Sequence, residues 1–200
     1  MEESFGLGMF LLTFFGLFGL SKIQLNDLTI LVVQLAGLVF VPILGAVLHF
    51  TFGWSGNNRV VGVFSAVNES MWEHMKMAFW PFFLFIGLEY VVFDGKILNL
   101  FFSGMVGVVL MLIVMPTLIY TYVGKVKRHI LAVDICFFTV SIIIGQLVNF
   151  ALISDTALPM VFDLAGLIIL TGLAACFVLF TFRPPLNDLF KDSVTEKYGY

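Results

Sequence analysis

The side chains that could do chemistry in this chain are concentrated in one short segment, residues 65–77. The segment holds two carboxylates, an imidazole and an ammonium, directly before a long apolar run. Charged groups next to lipid are costly, so they are retained where they pair, bind a ligand or take part in a reaction. We therefore predict a functional site here, with candidate catalytic residues Glu69, Glu73 and His74 and supporting residues Asn68, Ser70, Trp72 and Lys76.

Three chemistries could use these groups, and the sequence leaves all three open. His49, His74 and Glu73 are candidate ligands for a divalent metal such as zinc, which imidazole and carboxylate groups bind. A metal-bound water would then make a hydrolase that acts on a lipid or amphiphile. Alternatively, Glu69 and Glu73 act directly as acid and base. The third chemistry is transport, in which inner and outer polar groups form the two ends of a gated path.

The composition excludes several classes of protein. Only 12% of the 200 residues are charged and 60% are hydrophobic, whereas about a quarter of the residues of a soluble domain are charged. The net charge is −3, and the few Lys and Arg residues form no stripe suited to nucleic acid. His-Glu-x-x-His, P-loop, Gly-x-Ser-x-Gly and dinucleotide-binding motifs are absent from the sequence. These observations predict an integral membrane protein that binds no nucleic acid.

Apolar segments of sufficient length to cross a membrane recur along the chain, a crossing helix taking about 20 residues. Isolated strands cannot span lipid because their backbone groups would lack hydrogen-bond partners. We therefore predict an all-α integral membrane protein, a single domain of five to six transmembrane helices with a cytoplasmic tail over residues 183–200. The predicted spans are residues 5–20, which are short and glycine-rich, and residues 28–50, 71–93, 97–123, 130–153 and 160–182.

The Lys and Arg residues are distributed unequally between the two ends of these spans. Eight of the ten fall on one side, and only Lys22 and Lys96 fall on the other. Basic residues are enriched in cytoplasmic loops. The bias predicts that both termini and the polar segment lie at the cytoplasmic surface. The start of the chain has neither a basic region nor a small-residue cleavage site, which predicts that the first apolar segment is retained.

The predicted depths place further polar side chains in two layers. His49 and Asp134 fall near the cytoplasmic ends of their spans, so we expect them to support a cluster with Glu69, Glu73 and His74. A second polar group is predicted near the outer face. Its members are Gln34, Glu89, Asp94, Gln146, Asn149 and Asp163.

Structural roles compete with these functional ones. Ser70 and Glu73 have the spacing of a capping box, which predicts a helix that begins near Met71. In that interpretation Asn68 and Ser70 only cap the helix, while Glu73 and His74 start it and reach the lipid headgroups.

The three Trp residues have a structural interpretation as well. Trp54, Trp72 and Trp80 all fall near the predicted cytoplasmic surface, as in an aromatic belt. Asp134 is different, because a carboxylate one turn inside a membrane helix needs a partner.

A signature Asn-Glu-Ser-Met-Trp-Glu-His covers residues 68–74. Further characteristic residues are His49-Phe50, Trp54-Ser55-Gly56-Asn57-Asn58, Phe64-Ser65 and, in the tail, Pro184-Pro185, Leu189-Phe190-Lys191-Asp192, Thr195 and Tyr198-Gly199. On these residues the chain resembles a family of small bacterial integral membrane proteins of unknown function. The resemblance covers roughly residues 45–200 and implies a multi-span helical fold but no activity. Residues 5–20 look like an addition to the family pattern.

The spacing of Ser70 and His74 is also similar to that in membrane hydrolases related to alkaline ceramidases. Those hydrolases complete a zinc site with a His-x-x-x-His on the last helix, whereas residues 160–182 contain no His.

We therefore expect a multi-pass protein of a bacterial cytoplasmic membrane, whose partners are the bilayer and a lipid-like or small amphiphilic substrate. The expected function is hydrolysis or group transfer at the predicted cytoplasmic cluster, for which a divalent metal such as zinc is a candidate cofactor. Small-molecule or proton-coupled transport is an alternative, in which Glu89, Asn149 and Asp163 of the outer group matter as much as the inner residues. A structural or accessory subunit is the third alternative.

Overall fold

The computed structural model describes residues 25–153 and 157–199. Within these residues the chain is all-helical and has no strand, which confirms the predicted fold class for this part of the chain. The predicted span at residues 5–20 lies outside the described residues. The helices are α1 (Leu25–Trp54), α2 (Arg59–Gly62), α3 (Met71–Val92), α4 (Leu100–Val126), α5 (Leu131–Leu152) and α6 (Met160–Phe182).

All of these helices except α2 are long and apolar enough to cross a membrane. Each of the five has between 22 and 30 residues, and a crossing takes about 20. Large apolar side chains also lie exposed along their outer faces, for example Val161, Ile168 and Leu179 of α6. Apolar surface of this extent suits lipid better than water. The fold therefore fits a multi-pass membrane protein.

The chain divides into two compact units at Leu35, within α1, and every contact described below lies within the second unit, Ala36–Tyr200. Of the five long helices, α3 is the most enclosed. In its apolar stretch 56% of the residues are buried, against 22–44% in the other four helices. Phe79 of α3 packs on Phe177 of α6, with the ring centroids 4.7 Å apart. Further along α3, the side chain of Ile86 lies against Gly104 of α4. Helix α3 is thus held along its length by α4 and α6.

Helices α4 and α5 pack most extensively against each other, and they cross where Gly107 and Gly145 meet. A Cβ atom on Gly107 would lie 2.5 Å from the carbonyl oxygen of Gly145, and one on Gly145 would lie 2.7 Å from the carbonyl oxygen of Gly107. Two backbones can approach this closely only where neither residue has a side chain.

Two irregular segments fold back on the start of α3. In the first, before α3, the indole N–H of Trp80 donates to the carbonyl oxygen of Val63 at 3.0 Å. In the second, the tail after α6, the backbone N–H of Trp72 donates to the carbonyl oxygen of Leu189 at 2.9 Å. The start of α3 is therefore the place where distant parts of the chain meet.

Candidate functional site

The polar segment, residues 65–77, runs into the first two turns of α3, and Ser70 is the N-cap residue of that helix. The Ser70 hydroxyl accepts a hydrogen bond from the backbone N–H of Glu73 at 3.4 Å. The other half of a capping box, a bond from the Ser70 N–H to the Glu73 carboxylate, is replaced: the Ser70 N–H donates to Oδ1 of Asn68 at 2.9 Å. Oε2 of Glu73 accepts instead from the backbone N–H of Val67 at 2.9 Å. Asn68 and Ser70 thus cap the helix, and the Glu73 carboxylate is used elsewhere.

The Glu73 carboxylate forms a buried ion pair with Lys76. Oε2 of Glu73 lies 2.5 Å from Nζ of Lys76, and the two side chains are 2% and 0% exposed. Nζ of Lys76 also donates to the carbonyl oxygen of Gly62 at 2.8 Å and to Oγ1 of Thr181 at 2.9 Å. A lysine ammonium has three N–H donors, so this one has an acceptor for each. The pair ties α3 to the end of α2 and to α6.

The carboxylate of Glu69 lies between two imidazoles. Oε1 is 3.7 Å from Nε2 of His49 and Oε2 is 3.6 Å from Nε2 of His74. The centroids of the two rings are 5.9 Å apart. All three side chains are accessible, with exposed fractions of 44% for Glu69 and about 30% for each ring. We call these three residues the histidine–carboxylate cluster.

Both rings turn Nε2 toward the carboxylate, but the two nitrogens differ in whether they carry a proton. Nδ1 of His74 lies 2.8 Å from the carbonyl oxygen of Ser70. A carbonyl oxygen only accepts, so Nδ1 carries the proton and, in the neutral ring, Nε2 carries the lone pair that faces Glu69. Nδ1 of His49 is buried without a hydrogen-bond partner in the part of the chain that the structure describes. Placing the proton of neutral His49 on Nε2 directs an N–H toward the carboxylate. The cluster therefore combines an N–H donor on one side of Glu69 with a basic nitrogen on the other.

His49 is positioned by Ser65, whose role the sequence analysis missed. The Ser65 hydroxyl donates to the carbonyl oxygen of Leu48 and accepts from the backbone N–H of Phe52 at 2.9 Å. It thus bridges the two ends of a helical i to i+4 pair in α1, in the turn that carries His49. The distance along the chain between Ser65 and Leu48 leaves no local pattern from which this contact could be predicted.

The backbone of Glu69 is held by the tail. Its N–H donates to Oδ2 of Asp192 at 3.2 Å, and its carbonyl oxygen accepts from the hydroxyl of Ser193 at 3.1 Å. In addition, the side-chain amide of Asn68 donates to the carbonyl oxygen of Gly199 at 2.9 Å. The sequence analysis named Asp192 only as a characteristic residue of the tail, without a role, and did not name Ser193. The two residues fix the peptide groups on both sides of Glu69, although they lie more than 120 positions away along the chain.

Asp192 is a strong acceptor in this arrangement. Its Oδ1 accepts from the backbone N–H groups of Val194 and Thr195, at 2.7 Å each, in a turn that the Asp and Thr side chains stabilise. Burial would by itself raise the pKa of the Asp192 carboxyl, but the backbone hydrogen bonds from Thr195, Glu69 and Val194 outweigh burial and lower the pKa below its ordinary value. The ionised carboxylate is the form that holds the tail against Glu69.

Trp72 is buried rather than part of a belt at the membrane surface. Its ring packs on Phe177 of α6 and on Phe190 of the tail, with ring centroids 4.4 Å and 4.7 Å away. The signature residue Trp72 therefore joins α3, α6 and the tail. An indole that contacts two aromatic rings buries a large apolar area, which favours the docked tail.

An exposed aromatic surface borders the cluster. The ring of His49 contacts that of Phe50 edge-on, with centroids 5.0 Å apart, and Phe50 stacks on Trp54 at 5.8 Å. Phe50 and Trp54 are both largely exposed. The polar groups of the cluster thus lie beside a surface on which an apolar chain could pack.

Asp134 forms a separate polar group. Its Oδ1 accepts from the hydroxyl of Tyr122 at 2.7 Å, and its Oδ2 lies 3.3 Å from Nδ1 of His129. The Tyr122 hydroxyl in turn accepts from the backbone N–H of Ile130 at 2.8 Å. Asp134 has the partner that a carboxylate in an apolar helix needs, and that partner is Tyr122 rather than a residue of the histidine–carboxylate cluster.

Asp163, Glu89 and Asn149 of the predicted outer group divide into two kinds. Asp163 is a cap, because its Oδ1 accepts from the backbone N–H groups of Phe101 and Phe102 at 2.8 Å and 3.0 Å. These groups open α4, whose own N-cap residue makes no side-chain cap bond. Glu89 and Asn149 are instead fully buried between helices. Asp163 therefore stabilises a helix start, and the other two residues belong to the interior.

Of the predicted metal ligands, His49 and His74 lie near each other, but Glu73 does not join them because it is paired with Lys76. Within residues 25–153 and 157–199, no group of three or more His, Cys, Asp or Glu side chains is arranged to hold a metal ion. Glu73 is paired with Lys76, and the ammonium group of Lys76 lies where a metal cation bound by Glu73 would lie. The residues present therefore do not fit the zinc site that the sequence suggested.

Comparison with known proteins supplies a family and no activity. The sequence model of the family described as "Family of unknown function (DUF6512)" matches residues 22–200, so the chain belongs to that family. Residues 1–21, which contain the whole of the first predicted span, precede the matched region. No match was found among curated proteins or among solved structures.

Proposed function

We propose that this member of the DUF6512 family is a membrane-embedded hydrolase or transferase that cleaves an ester-type bond of a lipid-like substrate. The histidine–carboxylate cluster is the reacting site. The observation that carries the proposal is the pair of accessible imidazoles on either side of one carboxylate, beside an exposed aromatic surface. Acid–base groups that remain accessible after the folding contacts are made are the groups available for a reaction.

The geometry suits general base catalysis by His74. Nε2 of His74 and Oε2 of Glu69 are two acceptors 3.6 Å apart, so one water molecule can donate an O–H to each and turn its lone pair toward the substrate. Nε2 of His74 takes one proton as the water oxygen attacks the ester carbonyl carbon. The positive charge that develops on the ring is stabilised by the nearby Glu69 carboxylate. The ring is oriented through its other nitrogen, because Nδ1 donates to the carbonyl oxygen of Ser70, which takes the place that the carboxylate has in a catalytic triad.

The second half of the reaction returns the proton. The tetrahedral intermediate collapses, the bond between the carbonyl carbon and the alkoxy oxygen breaks, and His74 delivers its proton to the leaving oxygen. The products are a carboxylic acid and an alcohol, so ester and water are balanced. The N–H of His49 holds Oε1 of Glu69 from the other side. With an alcohol or amine in place of water, the same steps give group transfer.

The surroundings favour an amphiphile as substrate. The exposed rings of Phe50 and Trp54 provide an apolar surface next to the cluster, and the five apolar helices fit a protein in a bilayer. The bias of Lys and Arg residues favours a cytoplasmic location for this end of the helices in a bacterial membrane. A lipid could then present its ester group at the depth of the cluster while its chain stays in the membrane.

The proposal assigns Glu73 and Lys76 to folding rather than to the reaction. Both are buried and satisfied by each other and by Gly62 and Thr181. This differs from the sequence-based expectation, which placed Glu73 among the catalytic residues. Glu69 takes that place because its carboxylate is the one between the imidazoles.

The test uses full-length protein reconstituted into vesicles that carry a phospholipid with self-quenched fluorescent acyl chains. Release of the acyl chain is followed by fluorescence, and the products are identified by mass spectrometry. We expect turnover by the wild type and a loss of about 10²–10⁴-fold in His74→Gln, which removes the base. Glu196→Gln is the matched control for Glu69→Gln, because it replaces an exposed glutamate of the tail by glutamine.

Transport is a second candidate function, and one observation favours it. Glu89 and Asn149 are fully buried inside the helices, where polar residues often mark the path of an ion or substrate. A transporter requires Glu89 as much as Glu69, whereas the hydrolase requires only Glu69. Measurements of small-molecule or proton flux across the same vesicles therefore separate the two functions. Only a transporter should lose this flux in Glu89→Gln.

A further inference from the structure

The connection between α4 and α5 carries three exposed basic side chains, those of Lys125, Lys127 and Arg128. None of the three forms an ion pair or a side-chain hydrogen bond within the part of the chain that the structure describes. Exposed basic groups elsewhere do have partners, as Lys96 does in Asp94 at 3.0 Å. The connection therefore presents three positive charges that the folding contacts leave unpaired.

The acidic residue nearest to these charges along the chain, Asp134, does not neutralise them. Its Oδ1 accepts from the hydroxyl of Tyr122 at 2.7 Å, and its Oδ2 lies 3.3 Å from Nδ1 of His129. The Tyr122 hydroxyl also accepts from the backbone N–H of Ile130 at 2.8 Å. The Asp134 carboxylate is thus used to fix the backbone of the connection, and the three cations are displayed on a segment of defined conformation.

Lys127 has a backbone conformation that favours glycine. It follows the last residue of α4 with φ 60° and ψ 21°, in the left-handed region, and its N–H donates to the carbonyl oxygen of Val123. Helices commonly end in this way with a glycine, because a Cβ atom is disfavoured in that region. The negative end of the helix dipole does not require the lysine, since Lys125 already places a positive charge in the last turn. A side chain kept in a strained backbone conformation indicates a use outside the fold.

Exposed apolar side chains accompany the charges. Val126, between Lys125 and Lys127, is 46% exposed, and Leu131, the first residue of α5, is 75% exposed. Helices α4 and α5 are both long and apolar enough to cross a membrane, and only residues 127–130 connect them. A connection this short lies at the surface of the bilayer that the two helices cross. Apolar side chains beside cations suit that surface, where acyl chains meet charged headgroups.

We propose that Lys125, Lys127 and Arg128 form a binding surface for the headgroup of an anionic phospholipid, with Val126 and Leu131 against its acyl chains. Ammonium and guanidinium groups form charge-assisted hydrogen bonds with phosphate oxygens. A zwitterionic headgroup carries a positive charge of its own, so three further cations attract it less than they attract an anionic one. The surface shares no residue with the histidine–carboxylate cluster, and it stands independently of the proposed hydrolase.

Lipid selection is the first test. Full-length protein in detergent is titrated with phosphatidylglycerol or with phosphatidylcholine of the same acyl chains, and bound lipids are counted by native mass spectrometry. A basic residue beside anionic lipid strengthens binding about fivefold, so the wild type should prefer phosphatidylglycerol by about tenfold or more. Lys125→Gln/Lys127→Gln should remove most of this preference. The matched control is Lys191→Gln/Lys197→Gln, which removes two lysines of the tail and should keep it. Equal binding of the two lipids by the wild type, or an equal loss in the control, would overturn the proposal.

Substitutions at Lys127 separate lipid binding from folding. Lys127→Gly removes the ammonium and relieves the left-handed strain, so the unfolding midpoint should equal or exceed that of the wild type while the preference for phosphatidylglycerol falls about fivefold. Lys127→Gln keeps the Cβ atom and should lose the same preference without a gain in the midpoint. A lysine with only a structural role would leave the preference unchanged in both variants, and that result would contradict the proposal.

Discussion

Glu69 and Glu73 lie four residues apart, one just before α3 and one in its first turn, and their carboxylates have opposite surroundings. Glu69 is accessible and lies between the imidazoles of His49 and His74. Glu73 is buried, 2.5 Å from the ammonium of Lys76. The same side chain thus supports folding at one position and remains available for chemistry at the other. The predictions below follow from this difference and from the contacts that hold it in place.

The first prediction concerns the buried ion pair. Glu73→Gln leaves the Lys76 ammonium buried with no counter-charge, so we expect a loss of about 3–5 kcal/mol in the free energy of unfolding. Glu73→Gln/Lys76→Met removes both charges and should recover part of that loss. The measurement is the unfolding midpoint of detergent-purified protein. A single variant as stable as the wild type would show that the pair does not hold the fold.

The second prediction concerns pH and the tail. The pKa of Asp192 is lower in the folded protein than its ordinary value of 3.8. The carboxylate therefore stabilises the docked tail at pH values above 3.8, and this stabilisation is lost as the pH falls through the lowered pKa. Hydrogen exchange of residues 184–199 should accelerate below that pH in the wild type beyond its ordinary pH dependence.

Asp192→Asn should show the same acceleration already at neutral pH, because the charged acceptor is missing. Asp188→Asn, in the same tail, serves as the control for removal of one negative charge. Equal protection of the tail in Asp192→Asn and the wild type would mean that Asp192 does not hold it.

The third prediction concerns the crossing of α4 and α5. Gly107→Ala places a Cβ atom 2.5 Å from the Gly145 carbonyl oxygen, so the helices must separate. Overpacking of this kind costs about 1–3 kcal/mol, and the unfolding midpoint should fall by about 3–10 °C. Gly172→Ala is the matched control, since a Cβ atom at Gly172 meets no atom within 4 Å. Similar midpoints for the two variants would argue against a close crossing.

Much of the fold could be predicted from apolar length alone. The span predicted at residues 28–50 is α1, Leu25–Trp54, and the span at 160–182 is α6, Met160–Phe182. A run of about 20 apolar residues has few alternatives to a membrane helix, because its backbone groups must be bonded within the segment. The N-cap at Ser70 follows equally from local chemistry, since a hydroxyl at that position satisfies a free N–H of the first turn.

The site was harder to predict, because its contacts join residues that are far apart in the chain. The Lys76 ammonium that pairs with Glu73 also donates to Thr181, which is 105 positions away. The conformation of Glu69 depends on Asp192, which is 123 positions away. Residue types and local spacing predict a functional segment. They do not distinguish a carboxylate that forms a buried ion pair from one that is accessible.

The most direct test of the central claim compares Glu69→Gln with Glu73→Gln in the vesicle assay, with the unfolding midpoint measured on the same preparations. The account predicts that Glu69→Gln keeps a midpoint close to that of the wild type, since accessible ion pairs contribute about 0–1 kcal/mol, while release of the acyl chain falls by about 10²-fold or more. Glu73→Gln should lower the midpoint sharply. Undiminished acyl-chain release by a folded Glu69→Gln protein, or no release by the wild type, would contradict the account.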